Sequence, residues 1–216
     1  MNPVCKQLYK IFPKKISLAQ DSVDWASTDL NPSSGNSKRA IEYSLGRRCA
    51  LKALATIGTE GVSIGSGVNG EPIWPVNTVG SISHSKGYCF IAAARAVDFL
   101  SIGVDIEHFN RMKPRSINRI THSLESEMVG EDLDLATILF SLKEAFYKAQ
   151  FPLFKTQLNF KDIALKLIPE SQSAELVWTT PNLAMNPEDY PNWKFHYTRI
   201  ENRCYVLSHC PKKQLN

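Results

Sequence analysis

The stretch Ile102-Gly103-Val104-Asp105-Ile106-Glu107 constrains the fold more than any other part of the chain. Apolar and β-branched residues surround its first carboxylate, the composition of a mostly buried strand. Side chains on a strand alternate between faces, so Asp105 and Glu107 share one face while Val104 and Ile106 share the other. The two acids then lie about 7 Å apart, at ~3.3 Å per residue. Enclosed carboxylates at that spacing require a compensating positive charge. A hard divalent cation such as Mg²⁺, which takes one or two carboxylates together with water and phosphate oxygens, meets the requirement. A strand that ends at Asp105 and leaves Glu107 in solvent avoids the problem altogether.

The 216 residues suffice for one large domain or two lobes. A hydrophobic share of 43% and a charged share of 21% are those of an ordinary globular protein. A formal charge of +4 favours acidic or phosphorylated partners but falls short of a nucleic-acid binder, so no nucleic acid is expected. No apolar run approaches the ~18 residues of a membrane span, and no apolar signal core follows the first lysine. The cysteines Cys5, Cys49, Cys89, Cys204 and Cys210 contain no Cys-x-x-Cys pair. They read as reduced thiols of a cytoplasmic protein.

Residues 1–20 alternate apolar and basic positions and read as a strand or loop pair on the surface. Asp29 to Ser37 reads as a loop ending in a helix cap at Asn36 or Ser37. From Lys38 to Thr56 a stripe of Ile41, Leu45, Ala50, Leu51 and Leu54 predicts a helix stopped by Gly58, with Arg39, Arg47, Arg48 and Lys52 on its other faces. Gly65 to Gly70 matches the dinucleotide fingerprint letter for letter, but Glu71-Pro72-Ile73-Trp74-Pro75 follows where a helix should open. That run is therefore a turn-rich loop. Val79 to Ser85 and Tyr88 to Ala94 predict a hairpin turning at Lys86-Gly87, leading into the Asp105 strand. From Leu135 apolar residues recur at helical spacing until Pro152. Phe160 to Leu167, Ala174 to Trp178, Trp193 to Ile200 and Cys204 to Cys210 read as strands, the last two a hairpin. Helix then strands, twice over, predicts an α+β protein of two similar lobes.

The long helix adds a third acid, Glu144, with Lys143 and Lys148 beside it. An exposed Glu and Lys at i and i+4 ordinarily do no more than stabilise a helix. Upstream, His84 closes the first hairpin strand, where a histidine is ordinarily structural.

Three blocks give these residues a joint meaning: Trp74-Pro75 through Gly80-Ser81-Ile82-Ser83-His84; Gly103-Val104-Asp105-Ile106-Glu107; and Phe140-Ser141-Leu142-Lys143-Glu144-Ala145-Phe146-Tyr147-Lys148. In this order they resemble the 4′-phosphopantetheinyl transferases, of the large monomeric kind that serves siderophore, surfactin and polyketide synthases. A weaker block, Glu42-Tyr43 to Leu45-Gly46-Arg47, resembles the enterobactin-synthase branch. The resemblance implies transfer of the phosphopantetheine arm of coenzyme A to a serine of an apo acyl or peptidyl carrier protein. It implies two lobes with pseudo-twofold symmetry, residues 1–98 and 99–216, meeting between Ala96 and Leu100 with coenzyme A in the cleft. By resemblance Asp105, Glu107 and Glu144 hold Mg²⁺, Glu144 is the candidate base, and Lys148 faces the pyrophosphate. His84, Ser83 and Lys143 are expected at coenzyme A, with Arg47 and Arg39 at the nucleotide 3′-phosphate. Glu71 stands where a basic residue was expected near the adenine. Arg111, Lys113, Arg115 and Arg119 follow the acidic strand and read either as a basic docking face for the carrier or as a solvated face paired with Glu125, Glu127, Glu131 or Asp132 just downstream.

Two other functions share parts of this pattern. Asp-x-Glu on a strand also opens the site of two-metal exonucleases, which need further aspartates on later helices, commonly one five residues after a catalytic His or Tyr; the helix around Tyr147 has no such Asp. A carrier-binding module with a decayed metal site is disfavoured because Asp105, Glu144 and Lys148 are all present.

Overall fold

The computed structural model describes residues 2–23, 35–68 and 70–212. Most of the expected loop before the first long helix lies outside them. A short helix α1 (Pro3–Leu8) replaces the strand or loop expected at the start. The Asn2 side chain accepts from the Val4 N–H, and Pro3 sits where its missing N–H costs nothing. Cys5 and Leu8 point inward, and β1 (Ser17–Ser22) follows.

Helix α2 (Gly35–Thr56) starts before the predicted cap, and Gly58 ends it at φ 77°. Leu45, Cys49, Ala50, Ala53 and Leu54 form its buried stripe against Cys89, Ile91 and Ala93. Leu51, predicted in that stripe, is 40% exposed. A two-residue ribbon, β2 (Gly65–Ser66) with β3 (Pro72–Ile73), occupies the fingerprint-like loop. β4 (Thr78–Ser85) and β5 (Tyr88–Arg95) form the expected hairpin, turning through Lys86 and Gly87 at positive φ. With β1 they make an antiparallel sheet ordered β1-β5-β4.

β6 (Phe99–His108) opens the second sheet, followed by α3 (Pro114–Ile120), α4 (Ser126–Val129) and the long α5 (Leu133–Phe154). Asp132 caps α5 by accepting from the Asp134 and Leu135 N–H groups. Pro152 does not end α5 as expected: it lies within the last turn, and the chain reverses only at Lys155, φ 54°. A proline this near the end costs one carbonyl a partner rather than breaking the helix. The strand expected from Phe160 starts at Ile163, because Asn159 and Asp162 close a capping box over a 3₁₀ turn. β7 (Ile163–Ile168), β8 (Ser173–Thr179), β9 (Lys194–Ile200) and β10 (Arg203–Pro211) complete an antiparallel sheet ordered β6-β10-β9-β8-β7.

The protein is α+β as expected, each sheet carrying one long helix, but the sheets are unequal at three strands and five. β6 lies at the edge of its sheet, and its backbone is satisfied by side chains instead of another strand. The Val104 N–H donates to Ser81 Oγ at 3.0 Å, and the Val104 carbonyl accepts from Lys148 Nζ at 3.0 Å. The edges of the two sheets thus meet along β4 and β6. Val104 and Ile106 pack into the core between the sheets, leaving Asp105 and Glu107 on the α5 face as the alternation predicted.

Candidate active site

Gly103 decides how closely α5 lies on β6. A Cβ there would collide with the Ala145 carbonyl, so only glycine admits the helix backbone at this distance. Ser141, Glu144 and Lys148, spaced three and four apart, then share the helix face turned to Asp105.

Asp105 is 4% exposed and fully engaged. Its Oδ1 accepts from Ser83 Oγ at 2.7 Å and Lys148 Nζ at 2.8 Å, and its Oδ2 accepts from Ser141 Oγ at 2.7 Å. Glu107 accepts from Ser85 Oγ at 2.8 Å and pairs with Arg111 at 3.2 Å. Burial pushes its carboxyl up to about 7, with the charge of Asp105 adding to the effect. Burial also raises Glu144; Lys148 pulls it back and Asp105 pushes it further. The Glu144 side chain makes no hydrogen bond among the described residues, so it is the one uncommitted acid of the three. The acids line a pocket of about 350 Å³ with Ser83, His84, Arg111, Phe140 and Lys148.

Two larger cavities adjoin this pocket. A cleft of about 570 Å³ shares Ile82 and Lys148 with it and continues between Trp74, Leu100, Tyr147 and Phe151. A groove of about 680 Å³ shares Arg111 and Phe140 and runs between Met112, Arg119, Ile120 and Phe160 to Lys161. The acids therefore lie between an apolar cleft and a basic groove.

On the α2 side, the His84 ring lies against Gly46: a Cβ there would be 2.5 Å from Nε2. Burial holds this imidazole below its ordinary range, opposed by nearby Glu42. Arg47 stacks over Tyr43 and donates to the Gly65 carbonyl and Ser66 Oγ. His84 Nε2 and Arg47 Nε are both buried without a partner among the described residues. Two orphaned ring and guanidinium nitrogens on neighbouring elements are what a bound anion would satisfy. Arg39, exposed near the start of α2, lines none of these three cavities.

Lys143 requires a correction. Placed at coenzyme A by resemblance, it is buried on another side of α5, where Nζ donates to Glu125 Oε2 at 2.6 Å and to the carbonyls of Ile120, Phe160 and Ile163. A side chain 2% exposed with these acceptors has no donor left for a ligand. Arg111, read from the sequence as part of a basic face, pairs with Glu107 and lies over the Phe140 ring. Among the described residues no three His, Cys, Asp or Glu side chains converge as a preformed metal cage. Serines and bases hold the acids apart instead.

Sequence reasoning missed Ser81, Ser85, Ser141 and the Glu125 partner of Lys143, and it expected Ser83 at coenzyme A without its bond to Asp105. Ser81, Ser83 and Ser85 recur at period two, so β4 presents all three to β6. Ser141 precedes Glu144 by three residues and shares its face. Nothing local marks Glu125, which meets Lys143 only through the fold.

Two family models match the chain, the 4′-phosphopantetheinyl transferase N-terminal domain over residues 33–94 and the 4′-phosphopantetheinyl transferase superfamily over residues 101–202. The 4′-phosphopantetheinyl transferase Npt of Nocardia iowensis is 36% identical over 141 residues, 64% of either chain. Enterobactin synthase component D of Salmonella typhi is 33% identical over 152 residues, 63% of this chain and 62% of that one. A holo-acyl-carrier-protein synthase structure from Thermotoga maritima aligns at 16% identity and a TM-score of 0.42, over 53% of this chain and 65% of that one. The chain spans less than two thirds of the length of the curated relatives it matches. With two models of one family matching in succession across both sheets, the chain belongs to the 4′-phosphopantetheinyl transferase superfamily.

Proposed function

We propose that the protein transfers the 4′-phosphopantetheine arm of coenzyme A to a serine hydroxyl of an apo acyl or peptidyl carrier protein. The observation that carries this reading is Glu144, an uncommitted acid of raised pKa between two acids already compensated by Arg111 and Lys148.

The two cavities and the α2 wall divide the ligands. His84 and Arg47 offer unsatisfied nitrogens to the nucleotide phosphates, and the apolar cleft takes the pantetheine arm. The basic groove with Arg111, Arg119 and Lys161 receives the carrier, whose acceptor serine then reaches Glu144 from the side away from the nucleotide. That arrangement suits in-line displacement. The serine oxygen forms its bond to the phosphorus of the pantetheine phosphate as the bond to adenosine 3′,5′-bisphosphate breaks. Glu144 accepts the serine proton. Lys148, its donors engaged by Asp105, Ser83 and the Val104 carbonyl, acts as a fixed positive charge beside the leaving pyrophosphate oxygen.

Asp105, Glu107 and Glu144 fit Mg²⁺ in donor type, all hard oxygens lining one pocket. This ion typically uses one or two carboxylates and keeps waters, so a preformed cage is not required. When bound it would neutralise charge on the phosphate oxygens.

Residues 1–98 and 99–216 serve as the two lobes of this reading. A site assembled from both within one chain supports a monomeric enzyme, and five free buried cysteines support a reducing, cytoplasmic setting. Among the described residues no helix is long and apolar enough to cross a membrane. The test is chromatographic detection of adenosine 3′,5′-bisphosphate released from coenzyme A in the presence of apo carrier. Release should stop when the carrier serine is replaced by alanine, and release that persists without that serine contradicts the proposal.

A further inference from the structure

The ion pair of Lys143 and Glu125 lies wholly outside the pocket of acids, yet it is the most deeply buried pair among the described residues, with side-chain exposures of 2% and 0%. Burying two charges this far costs more than their attraction returns unless their remaining donors and acceptors are satisfied. They are. Lys143 Nζ reaches the Ile120 carbonyl at 2.9 Å, at the end of α3, and the Phe160 carbonyl at 2.7 Å, at the entry to β7. Glu125 accepts from the His122 N–H at 2.7 Å and the Leu165 N–H at 2.8 Å. Ile120 and Phe160 both line the basic groove, and both are tied to the one ammonium. Phe160 also packs on Phe140, which lies under Arg111 at the boundary with the pocket of acids. A stability pair would need no such placement; this one sets the separation of two groove segments from α5, one residue from Glu144.

We infer that Lys143 is a positioning residue which, through Glu125, fixes the shape of the groove where the carrier protein docks. The inference rests on the transferase reading above. The groove's occupant is the carrier face around the acceptor serine: Arg111, Arg119 and Lys161 offer positive charge to an acidic partner, Phe140 and Phe160 offer apolar floor, and the groove opens onto Glu144. The apolar cleft touches neither Lys143 nor Glu125, so loss of the pair should change coenzyme A binding less than carrier binding.

The double variant Lys143→Met with Glu125→Gln removes both charges while keeping side-chain length and an amide for the Leu165 N–H. Its fold is checked by circular dichroism and thermal melting. Steady-state kinetics should show KM for an apo acyl carrier domain raised about tenfold, with KM for coenzyme A changed less than twofold. A folded double variant with unchanged carrier KM overturns the positioning role. Should the variant fail to fold, hydrogen exchange on the wild-type protein decides: a carrier domain with its acceptor serine changed to alanine should protect amides in residues 116–120 and 159–163. No protection there overturns the proposal. Failure of the transferase reading is distinguishable from either result, because the wild-type protein would then modify no carrier at all.

Discussion

Lys148 Nζ lies 2.8 Å from Asp105 Oδ1 and 3.0 Å from Ser83 Oγ, so one ammonium joins α5, β6 and β4 at the meeting of the two sheets. Lys148 therefore ties together the three elements that border the proposed site. In Lys148→Met the partly exposed pair is lost, costing about 1–2 kcal/mol once solvent screening is allowed for. If the fixed charge acts on the transition state, kcat should fall about 10²–10³-fold with little change in KM for coenzyme A. A variant in which KM rises and kcat holds would make Lys148 a ground-state binding residue.

Gly103→Ala tests the approach of α5 to β6. The new methyl would meet the backbone carbonyl of Ala145, which cannot swing aside as a side chain end can. Overpacking against backbone should cost at least about 2 kcal/mol. Because the displaced helix carries Ser141, Glu144 and Lys148, activity should be lost even where thermal melting shows the variant still folded. Retention of wild-type turnover would mean that the helix position is not what assembles the site.

Much of this was legible in the chain. The alternation of Ile102 to Glu107 placed both acids on one face before any fold was known, and the hairpin turn at Lys86-Gly87 needed only local chemistry. Lys143 was misplaced because sequence adjacency to Glu144 says nothing of direction: neighbours on a helix diverge by about 100°. Its partner Glu125 and the carbonyls it ties together come from separate elements, which no local pattern reports. The short α1 was missed because six residues give too little periodicity to tell a helix from a strand or loop.

Gly46 sets helix propensity against packing. In an exposed helix interior Gly→Ala gains about 1 kcal/mol. Here the added Cβ would be 2.5 Å from His84 Nε2, so the ring must move. Gly46→Ala should therefore gain no stability and should weaken coenzyme A binding by calorimetry. A stabilised variant with unchanged affinity would remove His84 from the binding wall.

His196 and His209 stack on adjacent strands with ring centroids 5.4 Å apart, between Phe12 and Phe99. Burial holds His209 down to about 3, helped by His196 and Lys194. Unfolded, each imidazole takes a proton near pH 6.5. Between those values the unfolded state binds more protons, so stability is lost as pH falls from about 6.5. The wild-type melting temperature should accordingly drop more between pH 7 and pH 5 than that of His209→Phe. Equal drops would show that the pair does not stay neutral in the fold.

The central claim is that Asp105, Glu107 and Glu144 form the reacting pocket of a phosphopantetheinyl transferase. Its most direct test is the intact mass of an apo carrier domain after incubation with coenzyme A, Mg²⁺ and either the wild-type protein or Asp105→Asn, a near-isosteric change that keeps a partner for Ser141. The account predicts one added phosphopantetheine with the wild type, and none with the variant over the same interval. An unmodified carrier with the wild type, or equal modification by Asp105→Asn, would contradict it.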